Sequence, residues 1–511
     1  MSRRKTDEGA LTTARGGAAK RPASPVALFA AGFALSLLVI GGWVLVTRAA
    51  RSSAPEATNP PESGSAPLAA QSRDATAAAD GEAPARVEDE PELPLAASVY
   101  SLPSNLVPAA QAAALLAAVR AADPERELLV LADSPQRAAL ATAVAPLRVR
   151  LLDTGSRVYS PWPRDPFSFA RAAGGAVRVV VRPNLQPGRE IDGDLGRELV
   201  NDLPSDLDRK WGGVRWSTAA VPFHNGQVLL THDAAWVTLH TFEPRALQML
   251  GVTRVPVETF GSVAGIDAYV TATRRAADEL GTLYGRPVRF VHPLPAIGAG
   301  TAGANDVLAA ATELMRRIGG GAGYDLDSLV TFLPVRGGRS AALVADLAAG
   351  QRLIADAPPT ELATLAKSYD LRLDADLRAG LTAEASGPAG RALASFLDLI
   401  GAHLAAQGLD VNRLPLLLVP TTLLRDGGEP RYPHFLLGWN NVVVETRDGA
   451  VRAEGFASLL PSGDALARSA FAAAGARLDL FPPLVESVVR NGGYRCASNH
   501  LRRAARTGSG V

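Results

Sequence analysis

From residue 98 to the C-terminus the chain keeps alternating between two kinds of segment. Short apolar runs of strand length are followed by longer stretches of helical periodicity with small-residue faces. Residues 126–132 (RELLVLA) read as a buried strand, 135–146 as a helix, and 147–153 (LRVRLLD) as the next strand. Further strands are expected at 176–182, 226–231, 288–291, 329–334, 416–419 and 442–446, and helices at 264–284, 306–318, 387–406 and 463–474. Roughly four hundred residues of such alternation make one large α/β domain or two smaller ones. No repeat of fixed period runs through it.

The part before this domain has a different character. Residues 26–47 (VALFAAGFALSLLVIGGWVLVT) carry no charge, and as a helix they would reach about 33 Å, enough for a hydrocarbon core of about 30 Å. Arg3, Arg4, Lys5, Arg15, Lys20 and Arg21 precede the run against only Asp7 and Glu8. The expectation is a cytoplasmic tail (1–25), a single transmembrane helix held in the lipid bilayer (26–47), and export of everything after it. A cleaved signal peptide has a shorter apolar region, so an anchor is the better reading. No cysteine follows closely enough for a lipid-modified anchor. Residues 48–97, rich in Pro, Ala, Ser and acidic side chains, are expected to form a disordered tether to a domain over 98–511.

Charge and cysteine content remove several function classes. With 52 Lys and Arg against 51 Asp and Glu, the chain lacks the basic excess of a nucleic-acid binder. The single cysteine, Cys496, excludes an intramolecular disulfide and a cysteine-ligated zinc or iron–sulfur site. The string Gly298-Ala-Gly300-Thr-Ala-Gly303 has the letters of a dinucleotide fingerprint. However, Pro293 and Pro295 separate it from the preceding strand, and Asp325 and Asp327 precede the next strand instead of ending it, so a plain glycine-rich turn is preferred. No P-loop, H-E-x-x-H or G-x-S-x-G motif occurs. The seven histidines are scattered and read mainly as structural.

Three segments carry chemistry. In Ser160-Pro-Trp162-Pro-Arg164-Asp165, a carboxylate stands in a stiff turn, suited to gripping a planar guanidinium with two hydrogen bonds or to capping that turn. Asp325 and Asp327 stand two apart immediately before a buried strand, where they either face one site or form an Asx-type turn. Cys496 follows Gly492 and Gly493, which allow close approach of the backbone to a ligand, and it neighbours cationic side chains that favour a thiolate.

In this order the three segments resemble the guanidino-group-modifying (pentein) superfamily, and within it the C-terminal catalytic domain of protein-arginine deiminases. Trp162 to Asp165 matches a W-x-x-D segment, Asp327 with 329–334 behind it matches a second substrate-binding Asp, and Gly492, Cys496 and Asn499 match G-x-x-x-C-x-x-N. Arg502 and Arg503 echo basic residues after the cysteine, and Tyr432-Pro433 with Asn440-Asn441 is similar to the family's penultimate strand. The resemblance implies a five-bladed α/β propeller built from pseudo-repeated modules, with arginine as substrate, either free or in a protein or peptide partner, converted to citrulline and ammonia through a thiouronium adduct. It makes Cys496 the nucleophile, and Asp165, Asp327, Trp162, Arg164 and Asn499 the substrate-binding set. One position departs: where the family has its catalytic His, this chain has Asp325, preceded by Tyr324 instead of Gly. Asp325 then becomes the surrogate proton carrier, its pKa raised by neighbouring carboxylates, with His500 or His434 as substitutes. The alternative is a domain that binds guanidinium groups without turnover. No cofactor or protein-bound metal is evident, and the resemblance leaves calcium as a candidate.

Overall fold

The computed structural model describes residues 86–87, 89, 91–172, 174–182, 189–219, 225–251, 263–294, 325–334, 340–372, 376–425 and 433–503, all within the unit Ala75–Val511. The run 26–47, the glycine string 298–303, the helix expected at 306–318, Tyr324 and Tyr432 lie outside the described residues.

The strand Glu127–Ala132 shows why its residues read as one apolar block. It lies between two parallel neighbours, Leu95–Ser101 and Val149–Asp153, and five of its six side chains are buried. A strand covered on both faces has no need of alternating polarity. The helix that follows, Ser134–Val144, starts where the Asp133 carboxylate accepts the Gln136 amide at 3.0 Å and Pro135 occupies the first turn. Helix Pro388–Ala406 likewise starts on proline, and its buried side is a stripe of Leu393, Phe396, Leu397, Ile400 and Leu404 at helical spacing.

The described residues form a mixed α/β fold of five small sheets. One pattern recurs in all five: a strand pairs antiparallel with a second strand, which then pairs parallel with a third. The sets are Phe167–Arg171, Val177–Val181 and Arg215–Thr218; Val228–Leu230, Ala235–Val237 and Val288–Phe290; Val330–Pro334, Ser340–Asp346 and Asp410–Pro420; and Val443–Arg447, Ala450–Phe456 and Ala476–Phe481. In the fifth, Ser498–Arg502 near the C-terminus pairs antiparallel with Leu95–Ser101, which pairs parallel with Glu127–Ala132. Parallel pairing requires a crossover, and each second-to-third connection contains helix, from Pro461–Ala473 alone to four helices before Asp410–Pro420. These modules are structural repeats with no sequence repeat behind them.

Buried charges join neighbouring sheets. Arg126 grips Glu454 through both terminal nitrogens at 2.6 Å, linking the fifth sheet to the fourth, and Glu445 of the fourth accepts the Leu95 amide at 2.8 Å. Arg502 donates to the carbonyls of Val444 and Leu93.

Two expectations are corrected. Among the described residues no helix is long and apolar enough to cross a membrane, so the single-pass membrane location and the transmembrane part of the expected fold are not supported. The tether also ends earlier than its composition suggested. Arg86–Val87 pairs with Phe167–Arg171, Leu95–Ser101 begins before residue 98, and Asp89 between them is held by three arginines. Short pairings and one well-placed carboxylate order these residues, and neither gives an apolar signature.

Candidate active site

The repeated modules also repeat the place where their chemistry sits. The turn before each module's first strand carries a notable residue: Asp165 two positions before Phe167, Gly226 two before Val228, Asn441 two before Val443, and Cys496 two before Ser498. The third module has Asp327 three positions and Asp325 five positions before Val330, on either side of Leu326 in a 3-10 turn. These turns meet. The Cys496 thiol lies 3.7 and 3.9 Å from the two carboxylate oxygens of Asp327. Asn441 clamps the cysteine from two directions, its Oδ1 accepting the Cys496 amide and its Nδ2 donating to Sγ, each at 3.2 Å. A Cβ on Gly226 would stand 3.1 Å from Oδ1 of Asp325 and 3.6 Å from Oδ1 of Asp327, so glycine keeps the space over both carboxylates open.

Electrostatics at the thiol reverse one expectation. Cys496 is 4% exposed, and burial raises its pKa well above the ordinary thiol range, with Asp327, Asp325 and Asp165 raising it further. Only the Asn441 hydrogen bond is opposed to these effects among the main causes. The neighbouring cations do not produce a thiolate because they are held by carboxylates. Arg495 donates from Nη1 to Asp327 Oδ2 at 2.8 Å and from Nη2 to the Val228 carbonyl, and approaches Asp89 at 3.3 Å. Asp327 itself is fully buried, and burial pushes its carboxyl upward against the pull of Arg495 and Arg164.

The Trp162–Asp165 turn is held from several sides. Buried Arg182 donates to the carbonyls of Arg164 and Asp165, and desolvation lowers its pKa to about 10. The Trp162 indole donates to Ser487 Oγ at 3.0 Å, and any Cβ on Gly492 would collide with that indole. Gly493 makes the same kind of room for Asn441. The two glycines therefore admit neighbouring side chains of the protein, where the sequence had suggested approach of backbone to a ligand. Asp165 faces an arginine of its own chain: Arg189 Nη1 lies 2.9 Å from Asp165 Oδ2, and its guanidinium stacks 4.6 Å from the centroid of Trp162.

Other expected site residues are placed elsewhere. The Asn499 amide donates to the carbonyls of Pro163 and Phe167 at 3.2 and 2.7 Å, so it staples the Trp162 turn to the last strand. Arg164 is buried and ion-paired with Asp89. His500 lies between the hydroxyls of Ser98 and Ser498, at 2.9 and 2.8 Å, and burial with Arg126 and Arg502 nearby drives its pKa well below the usual value. His434 pairs with Glu384 at 2.6 Å. Both ring nitrogens of His500 and the Nε2 of His434 are thus directed at groups other than Cys496. Among the described residues no group of three or more His, Cys, Asp or Glu side chains is arranged to hold a metal ion.

Sequence reasoning missed Asn441 as a partner of the thiol, and it missed Arg189, Asp89 and Gly226 altogether. Asn441 was within reach, because it stands two residues before a strand as Asp165 and Cys496 do. Arg189 and Asp89 stand in segments without apolar periodicity and left no such signal.

No family model and no curated protein matches the chain. Among solved structures it is similar to a structural-genomics target assigned as an agmatine deiminase, at 12% identity and a TM-score of 0.45, over 82% of this chain and 96% of that one. It is also similar to the agmatine deiminase of Enterococcus faecalis, at 10% identity and a TM-score of 0.46, with the same coverage. Likenesses at this level leave the chemistry to be argued from the site itself.

Proposed function

We propose that the chain is a hydrolase of guanidino groups that converts arginine, peptidyl or free, to citrulline and ammonia through Cys496. One observation carries this reading: a lone thiol stands 3.7 Å from the buried carboxylate of Asp327, with Asp325 and Asp165 near enough to raise its pKa. A neutral thiol surrounded by carboxylates is a poor nucleophile until a cation arrives. A guanidinium bound among them reverses the local field and draws the thiol toward thiolate, so substrate and nucleophile are activated together. The thiol proton passes to a carboxylate, the thiolate adds to the guanidinium carbon, and as one C–N bond breaks the departing nitrogen takes that proton and leaves as ammonia. Water then adds to the thiouronium carbon and the C–S bond breaks, giving the ureido group and the restored thiol. Asp325, half-exposed and beside Asp327, is the group proposed to carry the proton in both steps. The motif resemblance supports arginine in a protein or peptide as the substrate class.

We also infer that the five modules stand around a common axis as a five-bladed propeller. Their repeated strand order, the meeting of their turns at one site, and the pairing of Ser498–Arg502 with Leu95–Ser101 support this arrangement.

A second reading is a domain that binds guanidinium groups without turning them over. The buried, neutral Cys496 and the carboxylate at the proton-carrier position favour it. Incubating the purified chain with an arginine-containing peptide, with and without calcium, and measuring citrulline decides between the two. Activity abolished by Cys496→Ser supports the hydrolase. No citrulline, together with a Cys496 that resists 2-chloroacetamidine, overturns it in favour of binding alone.

A further inference from the structure

We propose that Ser160, Trp162, Asp165 and Asp192 form a guanidinium seat that Arg189 fills from within the chain, so an external guanidinium gains the seat only by displacing Arg189. This rests on the reading above that Asp165 belongs to a guanidinium site.

A planar guanidinium is recognised by its two faces and by N–H groups pointing outward in its plane. Arg189 has one face and all three of its nitrogens engaged. Its Nε donates to Asp192 Oδ2 at 2.9 Å, its Nη1 pairs with Asp165 Oδ2 at 2.9 Å, and its Nη2 donates to Ser160 Oγ at 2.8 Å. Its face lies over Trp162, 4.6 Å from the ring centroid, the arrangement that favours a cation on an aromatic surface. The side chains of Arg189 and Asp165 are 8% and 5% exposed, so the contact is shielded from water.

The seat is also built independently of its occupant. Asp192 Oδ1 accepts the Ser160 amide at 2.9 Å, Trp162 is held by Ser487, and the Asp165 turn is held by Arg182 and Asn499. Other buried arginines differ in kind. Arg182 meets carbonyls and one hydroxyl, while Arg126 and Arg502 bridge neighbouring sheets. Arg189 combines an aromatic face with two carboxylates, and one of these carboxylates acts on the Cys496 thiol.

An internal ligand lowers the apparent affinity for an external one by the fraction of molecules in which the seat is open. A seat filled nine times in ten weakens external binding about tenfold. The test is calorimetric titration of the full chain with ethylguanidinium, comparing wild type, Arg189→Gln and Arg189→Lys. Arg189→Gln should bind about tenfold or more tightly than wild type, and adding Asp165→Asn should cancel the gain. Arg189→Lys keeps the charge but cannot reproduce the planar contacts, so it should fall between the two and tests the idea should the glutamine variant not fold. Equal affinity of wild type and both variants overturns the internal occupant while leaving the guanidinium site intact. Binding by none of the three overturns the seat and the guanidinium reading of Asp165 together.

Discussion

The Cys496 thiol and the Asp327 carboxylate stand 3.7 Å apart at their nearest atoms, and Asp327 is the largest electrostatic influence raising the thiol pKa. The sign of the coupling makes a prediction. A thiol raised above its ordinary range is almost wholly protonated at pH 7, so alkylation by a neutral reagent such as iodoacetamide should rise about tenfold per pH unit between pH 7 and 9. Asp327→Asn removes the nearest negative charge and lowers the thiol pKa, and it should speed alkylation at pH 8 by about tenfold or more. The same variant should lose citrulline formation, because a guanidinium loses its buried counter-charge. Slower alkylation in this variant refutes the electrostatic account of the thiol. The absence of any other cysteine makes the labelling unambiguous.

Charge also predicts which reagent reaches Cys496 faster. 2-Chloroacetamidine brings a cation into a site with three carboxylates and should label Cys496 faster than iodoacetamide does, with arginine-like ligands protecting against it. A neutral reagent that reacts as fast as the amidine at equal concentration contradicts a site built for guanidinium groups.

Asn441 accepts a hydrogen bond from the Cys496 backbone amide and donates one to its thiol. Asn441→Ala removes the donor that favours the thiolate, so the thiol pKa should rise further and alkylation at pH 8 should slow about tenfold. Asn441→Asp adds a fourth carboxylate and should slow it more. A pH profile that does not move in either variant shows the amide to be a packing contact alone.

Asp325 is tested by its titrating proton. Asp325→Asn keeps the size of the side chain and removes that proton, and loss of a general acid–base group lowers kcat by about a hundredfold or more. Its alkylation rate should increase nonetheless, since one of the charges raising the thiol pKa is gone. The opposite directions of the two readouts separate proton transfer from a general collapse of the site. Unchanged kcat removes Asp325 from the proposed mechanism.

The strands most legible in the sequence are those buried on both faces. Residues 126–132, 329–334 and 442–446 were expected within two residues of Glu127–Ala132, Val330–Pro334 and Val443–Arg447, because an unbroken apolar run is a local signal. Ser498–Arg502 was not legible as a strand, since Asn499, His500 and Arg502 are polar and buried by long-range partners that include Pro163, Ser98 and Val444. The site divides in the same way. Cys496, Asp327 and Asp165 sit in short motifs, and the structure brings them within electrostatic reach. The occupant of Asp165 comes from a segment with no motif, and Asn499, which fits its motif, is engaged by backbone carbonyls instead. Which side chain faces the thiol is decided by how five turns meet, and no single turn records that.

Asp89 supplies the last prediction, from a stretch whose composition resembles a linker. Its carboxylate meets Arg164, Arg495 and Arg502, and burial notwithstanding, these cations hold its carboxyl well below the usual carboxylate range. A depressed carboxylate pKa contributes stability that is fully present above its unfolded value of about 3.9 and is lost as pH falls toward the folded value. Asp89→Asn should therefore lower the thermal midpoint at pH 7, and the gap to wild type should narrow as both are measured below about pH 4. Because Arg495 also holds Asp327, the variant should disturb the site as well as the fold. With Asp89 gone, Arg495 bears more fully on Asp327 and the thiol, and Cys496 should alkylate faster at pH 8. A midpoint that is unchanged at pH 7, or a gap that widens in acid, would show that these three arginines do not depend on Asp89 for their charge balance.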